Sequence, residues 1–225
     1  MTIVGIAGCT ALLLTGFGLH DSINDIIDKH YGEIVEYNMV ITKEDDIADE
    51  DADALDSVLA ERGQVEASAD AFEDTMVVIG SASDMSVEMI VPRSFETFSQ
   101  IWNFRNRVSQ QQVTLDDTGV IITEKIAIKF GLDAGDTITL ASQDDMGNAT
   151  NERYEFPVTG IIENYIDHDV FMSTDLYEKT FHKKPMFNNQ FVNTAVIGEG
   201  RDQLAADIRG IDGIKTVTFN DETID

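Results

Sequence analysis

The chain has 225 residues, of which 43% are hydrophobic, so it is long enough and apolar enough to bury a proper core. It contains 42 acidic and 15 basic residues, which gives a formal net charge of -27 at pH 7. Nucleic-acid binding needs clustered Lys and Arg side chains on phosphates, so this charge argues strongly against that function. The single cysteine, Cys9, rules out a disulfide within the chain.

The first 19 residues are predicted to form a transmembrane helix. Residues 3–19 carry no charge, and as a helix they would span about 26 Å, at the short end of what a bilayer core requires. A cleaved signal peptide is the alternative, but Met1 and Thr2 supply none of the basic residues with which such a peptide opens. Small residues in membrane helices are common, and they also let a second helix approach closely. The candidates for such helix packing are Gly5, Ala7, Gly8, Ala11 and Gly16.

Residues 20–33 are predicted to form an amphipathic stalk. Ile23, Ile26, Ile27 and Tyr31 keep helical spacing after the charges begin, so the helix should continue to about Tyr31 and end at Gly32. A helix that continues without a break would carry motion from the membrane into the domain that follows it.

The rest of the sequence predicts an α+β fold whose sheet is built from both ends of the chain. The order strand, helix, strand occurs twice, in residues 35–69 and again in residues 190–219. Two β-α-β units so far apart predict a membrane-proximal subdomain of residues 34–70 plus 190–225. Residues 71–189 would then be an inserted, β-rich distal subdomain.

Short strands dominate the predicted insertion. Their patterns lie at residues 75–79, 88–91, 120–122, 137–141 and 154–162. Pro157 places the last of them at a sheet edge or at a bulge, because proline cannot donate a ladder hydrogen bond.

An aromatic stripe in the insertion is the one candidate for an interaction surface. A helix predicted from Ser94 carries Phe95, Phe98 and Trp102 on one side, and Phe104 lies nearby. The same spacing is that of a helix that faces the core, and it favours this second interpretation.

The motifs of common enzymes and metal sites do not occur in the sequence. Asp49, Asp51 and Asp53 imitate the opening of a calcium loop, but Ala54 and Ala60 stand where that loop needs glycine and glutamate. Acids in the first turn of a helix are the favoured interpretation of this run. The four histidines have no metal-site spacing, and there is no nucleophile elbow or nucleotide-binding P-loop. We therefore predict a non-catalytic chain that holds no cofactor or metal.

Two segments resemble the FtsX-like, MacB-type family of ABC transporter permeases. They are the apolar opening with its stalk, residues 4–34, and GVIITEKIAIKFGLDAGDTITL, residues 119–140. The second segment predicts a short helix capped by Thr123 and ended by Gly131, followed by a turn into a strand. Both segments indicate a fold and not a catalytic site.

The resemblance implies an extracytoplasmic domain on the outer side of the cell membrane, which couples ATP hydrolysis inside the cell to export, extraction or signalling outside. It implies a cytoplasmic ABC ATPase and a second permease half or subunit as partners, with an extracellular peptide or protein as a further candidate. The alternative function is a membrane-anchored sensor that binds a cationic peptide through its acidic surface. We expect further membrane helices after Asp225 in the first case only.

Overall fold

A nine-stranded sheet organises the fold. The computed structural model describes residues 15, 25–45, 47–144 and 146–220. The strands in these residues are β1 (Met39–Lys43), β2 (Val65–Val78), β3 (Met85–Pro92), β4 (Val120–Thr123), β5 (Thr137–Gln143), β6 (Ala149–Ile162), β7 (Asp169–Phe171), β8 (Asn189–Thr194) and β9 (Ile214–Phe219). Residues 25–29 are helical and lead into a π-helical turn, His30–Ile34. The other helices are α1 (Asp49–Arg62), α2 (Phe95–Phe98), α3 (Glu124–Phe130), α4 (Thr174–Phe181) and α5 (Glu199–Arg209). The prediction of a mixed α+β fold is thus confirmed.

Both ends of the chain contribute to one half of this sheet. β1 lies between β8 and β9 and pairs antiparallel with both, and β8 also pairs with the first half of β2. The helices α1 and α5 cover one face, where their apolar stripes pack on side chains of the strands. The buried residues of this layer include Leu55, Leu59, Leu204, Ile208, Met39, Ile41 and Val217.

The second half of β2 belongs to a closed ring of six strands. It pairs with β3 on one edge and with β5 on the other, and the order β3-β7-β4-β6-β5 connects the two. Closure leaves these strands without a free edge, and alternate side chains point inward and fill the ring. The interior contains Met76, Val87, Met89, Val120, Ile122, Leu140, Phe156, Val158 and Val170.

Two strand predictions differ from the structure. The separate strands expected at residues 65–69 and 75–79 form the single strand β2, because β8 and β3 pair along its whole length. Pro157 lies in β6, which is an interior strand between β4 and β5. Pro157 sits where β4 begins to pair with β6, next to a register shift between the two strands. Gly119 lets the two backbones approach closely here, because a Cβ at Gly119 would lie 2.1 Å from the Pro157 carbonyl oxygen. The strand β7 and the helix α4 were not predicted.

The two caps expected for α3 have different outcomes in the structure. Gly131 ends α3 in the left-handed conformation, with φ of 66°, as its glycine predicts. The hydroxyl of Thr123 does not cap the helix, so the prediction of a Thr123 cap was wrong. It accepts a hydrogen bond from the backbone N–H of Asp169 at 3.3 Å and so ties β4 to β7 instead.

Candidate functional site

The root of the stalk is the candidate functional site. The helix does not end at Gly32 as predicted but continues through the π-helical turn to Ile34, and the Val35 N–H bonds the His30 carbonyl oxygen at 2.7 Å. Such i to i+5 turns are rare and occur often at functional positions. Val35 then has an extended conformation, so the stalk enters the folded part of the chain at this point.

Backbone hydrogen bonds join the root to the segment of residues 101–103. The Asn103 N–H donates to the Ile34 carbonyl at 2.7 Å, and the Glu36 N–H donates to the Ile101 carbonyl at 2.9 Å. Between them, Val35 and Trp102 form an antiparallel bridge. The chain that leaves the stalk is therefore paired with another segment before it reaches β1.

Three charged side chains, Arg105, Glu33 and Glu163, form what we call the clamp. Arg105 donates from Nε to the Glu163 carboxylate at 2.8 Å and from Nη2 to the Glu33 carboxylate at 2.5 Å. Glu163 is 4% exposed and Arg105 is 17% exposed, whereas Glu33 on the turn is 49% exposed. The clamp thus links the stalk to the end of β6 through a guanidinium whose fork geometry suits two carboxylates.

The hydrogen bonds of the clamp shift the pKa values of Glu33 and Arg105. The hydrogen bond from Arg105 lowers the pKa of Glu33, and the bonds to Glu33 and Glu163 raise the pKa of Arg105. The hydroxyl of Tyr165 donates to the second oxygen of Glu163, and this burial and hydrogen bond raise the pKa of Tyr165 to about 12. Glu163 consequently has partners for both carboxylate oxygens, which its burial demands.

His30 lies buried at the same junction and is 4% exposed. Burial lowers its pKa to about 4, against the opposing effects of the Asp167 charge and a hydrogen bond with Asn164. Asn164 also donates from Nδ2 to the Asp169 carboxylate at 2.7 Å. Among the described residues, Nδ1 of His30 has no hydrogen-bond partner. The neutral imidazole is therefore the form that fits this site.

Acidic side chains occupy neighbouring strands on the outward-facing side of the ring. Glu73, Glu88 and Asp169 lie on the neighbouring strands β2, β3 and β7, where Glu88 stands opposite Asp169. Burial raises the pKa of Glu73 to about 7, and burial with the surrounding acids raises that of Asp169 well above its usual value. In residues 15, 25–45, 47–144 and 146–220 no group of three or more His, Cys, Asp or Glu is placed to hold a metal ion.

The aromatic residues proposed for an interaction surface lie beneath the stalk root. Phe98, Trp102 and Phe104 are buried, and Phe95 is partly buried against them. Trp102 packs edge-on against Phe171 of β7, with 5.1 Å between ring centres. The helix α2 is only one turn long, so these rings converge through the loop after it and not as a stripe on one helix. These rings therefore belong to the hydrophobic core under the stalk root and do not form an exposed interaction surface.

The other sequence candidates lie elsewhere. Apart from Thr15, the predicted membrane helix lies outside the described residues, and so do its packing residues Gly5, Ala7, Gly8, Ala11 and Gly16, so those predictions stand untested. Asp49 and Asp51 lie in the first turn of α1, as the helix interpretation expected. Among the described parts of the chain, no helix is both long and apolar enough to cross a membrane.

Sequence reasoning missed the clamp and His30. Arg105 is 58 residues from Glu163 and 72 residues from Glu33 along the chain, so no local spacing connects them. The only signal was the scarcity of basic residues, which makes each Arg of this acidic chain worth testing as a partner of buried acids.

Comparisons with known proteins agree with the resemblance found in the sequence. Residues 2–211 match the family described as the MacB-like periplasmic core domain. A search of curated proteins finds no match. Since the family match covers most of the chain, the chain belongs to the MacB-like periplasmic core domain family.

Three solved structures are similar to the fold at low sequence identity. The periplasmic region of MacB from Actinobacillus actinomycetemcomitans is 10% identical with a TM-score of 0.47, covering 86% of this chain and 93% of that one. The extracellular domain of the noncanonic ABC-type transporter YknZ from Gram-positive bacteria is 12% identical with a TM-score of 0.43, covering 81% and 98%. A domain of a putative permease protein from Porphyromonas gingivalis is 12% identical with a TM-score of 0.38, covering 77% and 82%.

The family membership defines the class of protein. The chain is an extracytoplasmic domain of the MacB-type and FtsX-like ABC permeases, as the resemblance predicted. Domains of this family are components of membrane transporters, and permeases of this type work with cytoplasmic ABC ATPases.

Proposed function

We propose that this chain transmits conformational change between a membrane-embedded permease and the outer side of the cell membrane. ATP hydrolysis by a cytoplasmic ATPase would move the membrane helices, and the stalk would carry that motion into the outer domain for export, extraction or signalling. We propose a second permease half or subunit as a further partner. We also propose that the chain divides into a membrane-proximal unit of residues 34–70 and 190–225 and a distal unit of residues 71–189 inserted into it.

The clamp is the observation that carries this proposal. A flexible linker would need no buried ion pair where it joins a domain, and burying one is costly unless its geometry is well satisfied. Here a mostly buried Arg105 holds the exposed Glu33 of the stalk and the buried Glu163 of the domain at the same time. Together with the backbone pairing at Val35, this arrangement supports a rigid connection.

The core beneath the clamp supports transmission beyond the root itself. Trp102 contacts Phe171 on the ring and Phe98, and Phe98 packs edge-on against Phe191 of β8 at 5.5 Å between ring centres. Rings packed at core density do not deform independently of one another. A displacement of Val35 and Trp102 would therefore reach both the ring and the four-stranded half of the sheet.

A flexible insertion in the stalk tests the proposal in the complete transporter. Three glycines between Asp28 and Lys29 should break the helical connection, whereas three glycines between Met146 and Gly147 extend an exposed hairpin turn and serve as the matched control. Hydrogen exchange of the outer domain is then measured with and without ATP. We expect ATP to change exchange in residues 101–105 of the parent and of the hairpin variant, but not of the stalk variant. An ATP response that survives the stalk insertion would contradict the proposal.

A further inference from the structure

A cavity of about 440 Å³ opens at the end of the sheet half that β1, β8 and β2 form. Its size falls within the range of small-ligand sites, about 300 to 1,000 Å³. Its lining comes from the end of β1 and the loop after it, the start of α1, the middle of β2, and the segments that follow β3 and lead into β8. None of the lining residues belongs to the clamp, so a ligand site here is independent of the coupling role.

Two cations of this cavity share a single carboxylate. Lys43 places Nζ 2.8 Å from one oxygen of Asp70, and Arg93 places Nε 3.2 Å from the other. One carboxylate thus serves two cations, although the chain as a whole has a net charge of -27. The Lys43 side chain is only 10% exposed, and lysine is seldom buried so deeply. An anion bound at this place would balance the second cation.

Arg93 is held in an orientation that suits a carboxylate ligand. Its guanidinium lies 4.1 Å from the centre of the Phe187 ring, and Asp70 pairs with its Nε. Within the described part of the chain, neither Nη group of Arg93 donates a hydrogen bond. Guanidinium N–H groups bind carboxylates in a planar, two-bond geometry. The stacked Phe187 ring already restricts the rotamers of Arg93, so less side-chain entropy is lost when a ligand binds.

The same cavity also has acidic and apolar lining. Glu44, Asp45 and Asp56 are exposed acids, and the apolar side chains of Ile47 and Leu55 lie among the lining residues. A fitting ligand therefore combines a carboxylate, a short aliphatic stem and a cation.

We propose that this cavity binds a basic amino acid with a free α-carboxylate. Arg93 and Lys43 hold the carboxylate, the apolar lining takes the side-chain methylenes, and the exposed acids take the ammonium or guanidinium group. The ligand is either free arginine or lysine or the last residue of a peptide, since both present the same groups.

Isothermal titration with three probes tests this site on the full chain. The probes are an acetylated tetrapeptide that ends in arginine with a free carboxylate, the same peptide as its C-terminal amide, and free arginine. We expect saturable binding of the carboxylate peptide and at least about tenfold weaker binding of the amide, since a charged hydrogen-bond partner is lost. Equal affinity of free arginine would assign the amino acid as the source, and weaker binding of free arginine would assign the peptide end. Absence of saturable binding, or equal affinity of the amide, would overturn the proposal.

Two variants and one control localise the binding. Arg93→Gln should weaken the carboxylate peptide at least about tenfold, and it is expected to fold because the Arg93 side chain is largely exposed. Asp56→Asn should weaken a peptide that ends in arginine more than one that ends in methionine. Arg153→Gln removes an exposed arginine whose hydrogen bonds stay within its own strand, so binding should not change. Unchanged binding in Arg93→Gln would place any observed binding outside this cavity and refute the assignment.

Discussion

Replacement of Arg105 by methionine should destabilise the domain far more than loss of its exposed partner. Methionine keeps most of the apolar stem but removes the charge, which leaves the Glu163 carboxylate buried at 4% exposure with the Tyr165 hydroxyl as its remaining side-chain partner. Breaking a buried pair on one side costs about 3 to 5 kcal/mol, and the 17% exposure of Arg105 favours the lower end, about 3 kcal/mol. Glu33→Gln should cost much less, because Glu33 is 49% exposed and solvent screens its charge.

Urea denaturation followed by circular dichroism measures these differences. In thermal unfolding followed by the same signal, a destabilisation of about 3 kcal/mol corresponds to a decrease in Tm of roughly 6 to 12 °C for a chain of this size. A double-mutant cycle with Glu163→Gln should return a coupling of about 2 kcal/mol, since removing both charges leaves no unpaired ion. The cycle with Glu33→Gln should return a clearly smaller coupling, because that carboxylate is exposed. Equal couplings in the two cycles, or a cost of Arg105→Met below about 1 kcal/mol, would refute the reasoning.

Three further substitutions test the pKa shifts and one backbone conformation. Burial raises the pKa of Glu73 from 4.5 to about 7, so the free energy of unfolding should fall as pH rises between these values, by at most about 3 kcal/mol. Glu73→Gln should remove this pH dependence, as measured by urea titrations at several pH values. Burial lowers the pKa of His30 from 6.5 to about 4, so the free energy of unfolding should fall as pH decreases between these values. In the same titrations, His30→Asn should remove this pH dependence, whose sign is opposite to that of Glu73. Gly131→Ala places a Cβ at φ of 66° with no neighbouring atom within 4 Å, so backbone strain alone should cost about 1 kcal/mol, and Gly131→Asn should recover part of it. A pH slope unchanged in either variant, or a neutral Gly131→Ala, would contradict the corresponding assignment.

Local patterns predicted the elements whose signals are complete within a few residues. The helix α3 and its end at Gly131 follow from spacing and a glycine, and β9 follows from alternation between Ile214 and Phe219. The sequence also indicated that both ends of the chain share strand and helix patterns. Periodicity and caps are local properties, so they could be read without knowing the partner segments.

Long-range pairing accounts for what could not be predicted. The strand β2 was divided in the prediction because Asp70 and Glu73 interrupt its apolar alternation, yet Lys43 and Asn189 supply partners for them from other strands. The three-residue β7 is too short for a periodic signal, and it is fixed only by β3 and β4 on either side. The junction of Arg105, Glu163 and His30 likewise depends on contacts between distant segments.

The most direct test of the account measures whether the stalk and the outer domain form one rigid unit. Spin labels at Asp25→Cys on the stalk helix and Lys125→Cys on α3 occupy exposed positions, and Cys9→Ser removes the one native cysteine. Pulsed electron paramagnetic resonance on the full chain then reports the distance between them. The account predicts one narrow distribution that Glu33→Gln leaves narrow and Arg105→Met broadens. A broad distribution in the parent chain, or one that Arg105→Met leaves unchanged, would contradict the claim that the clamp couples the stalk to the domain.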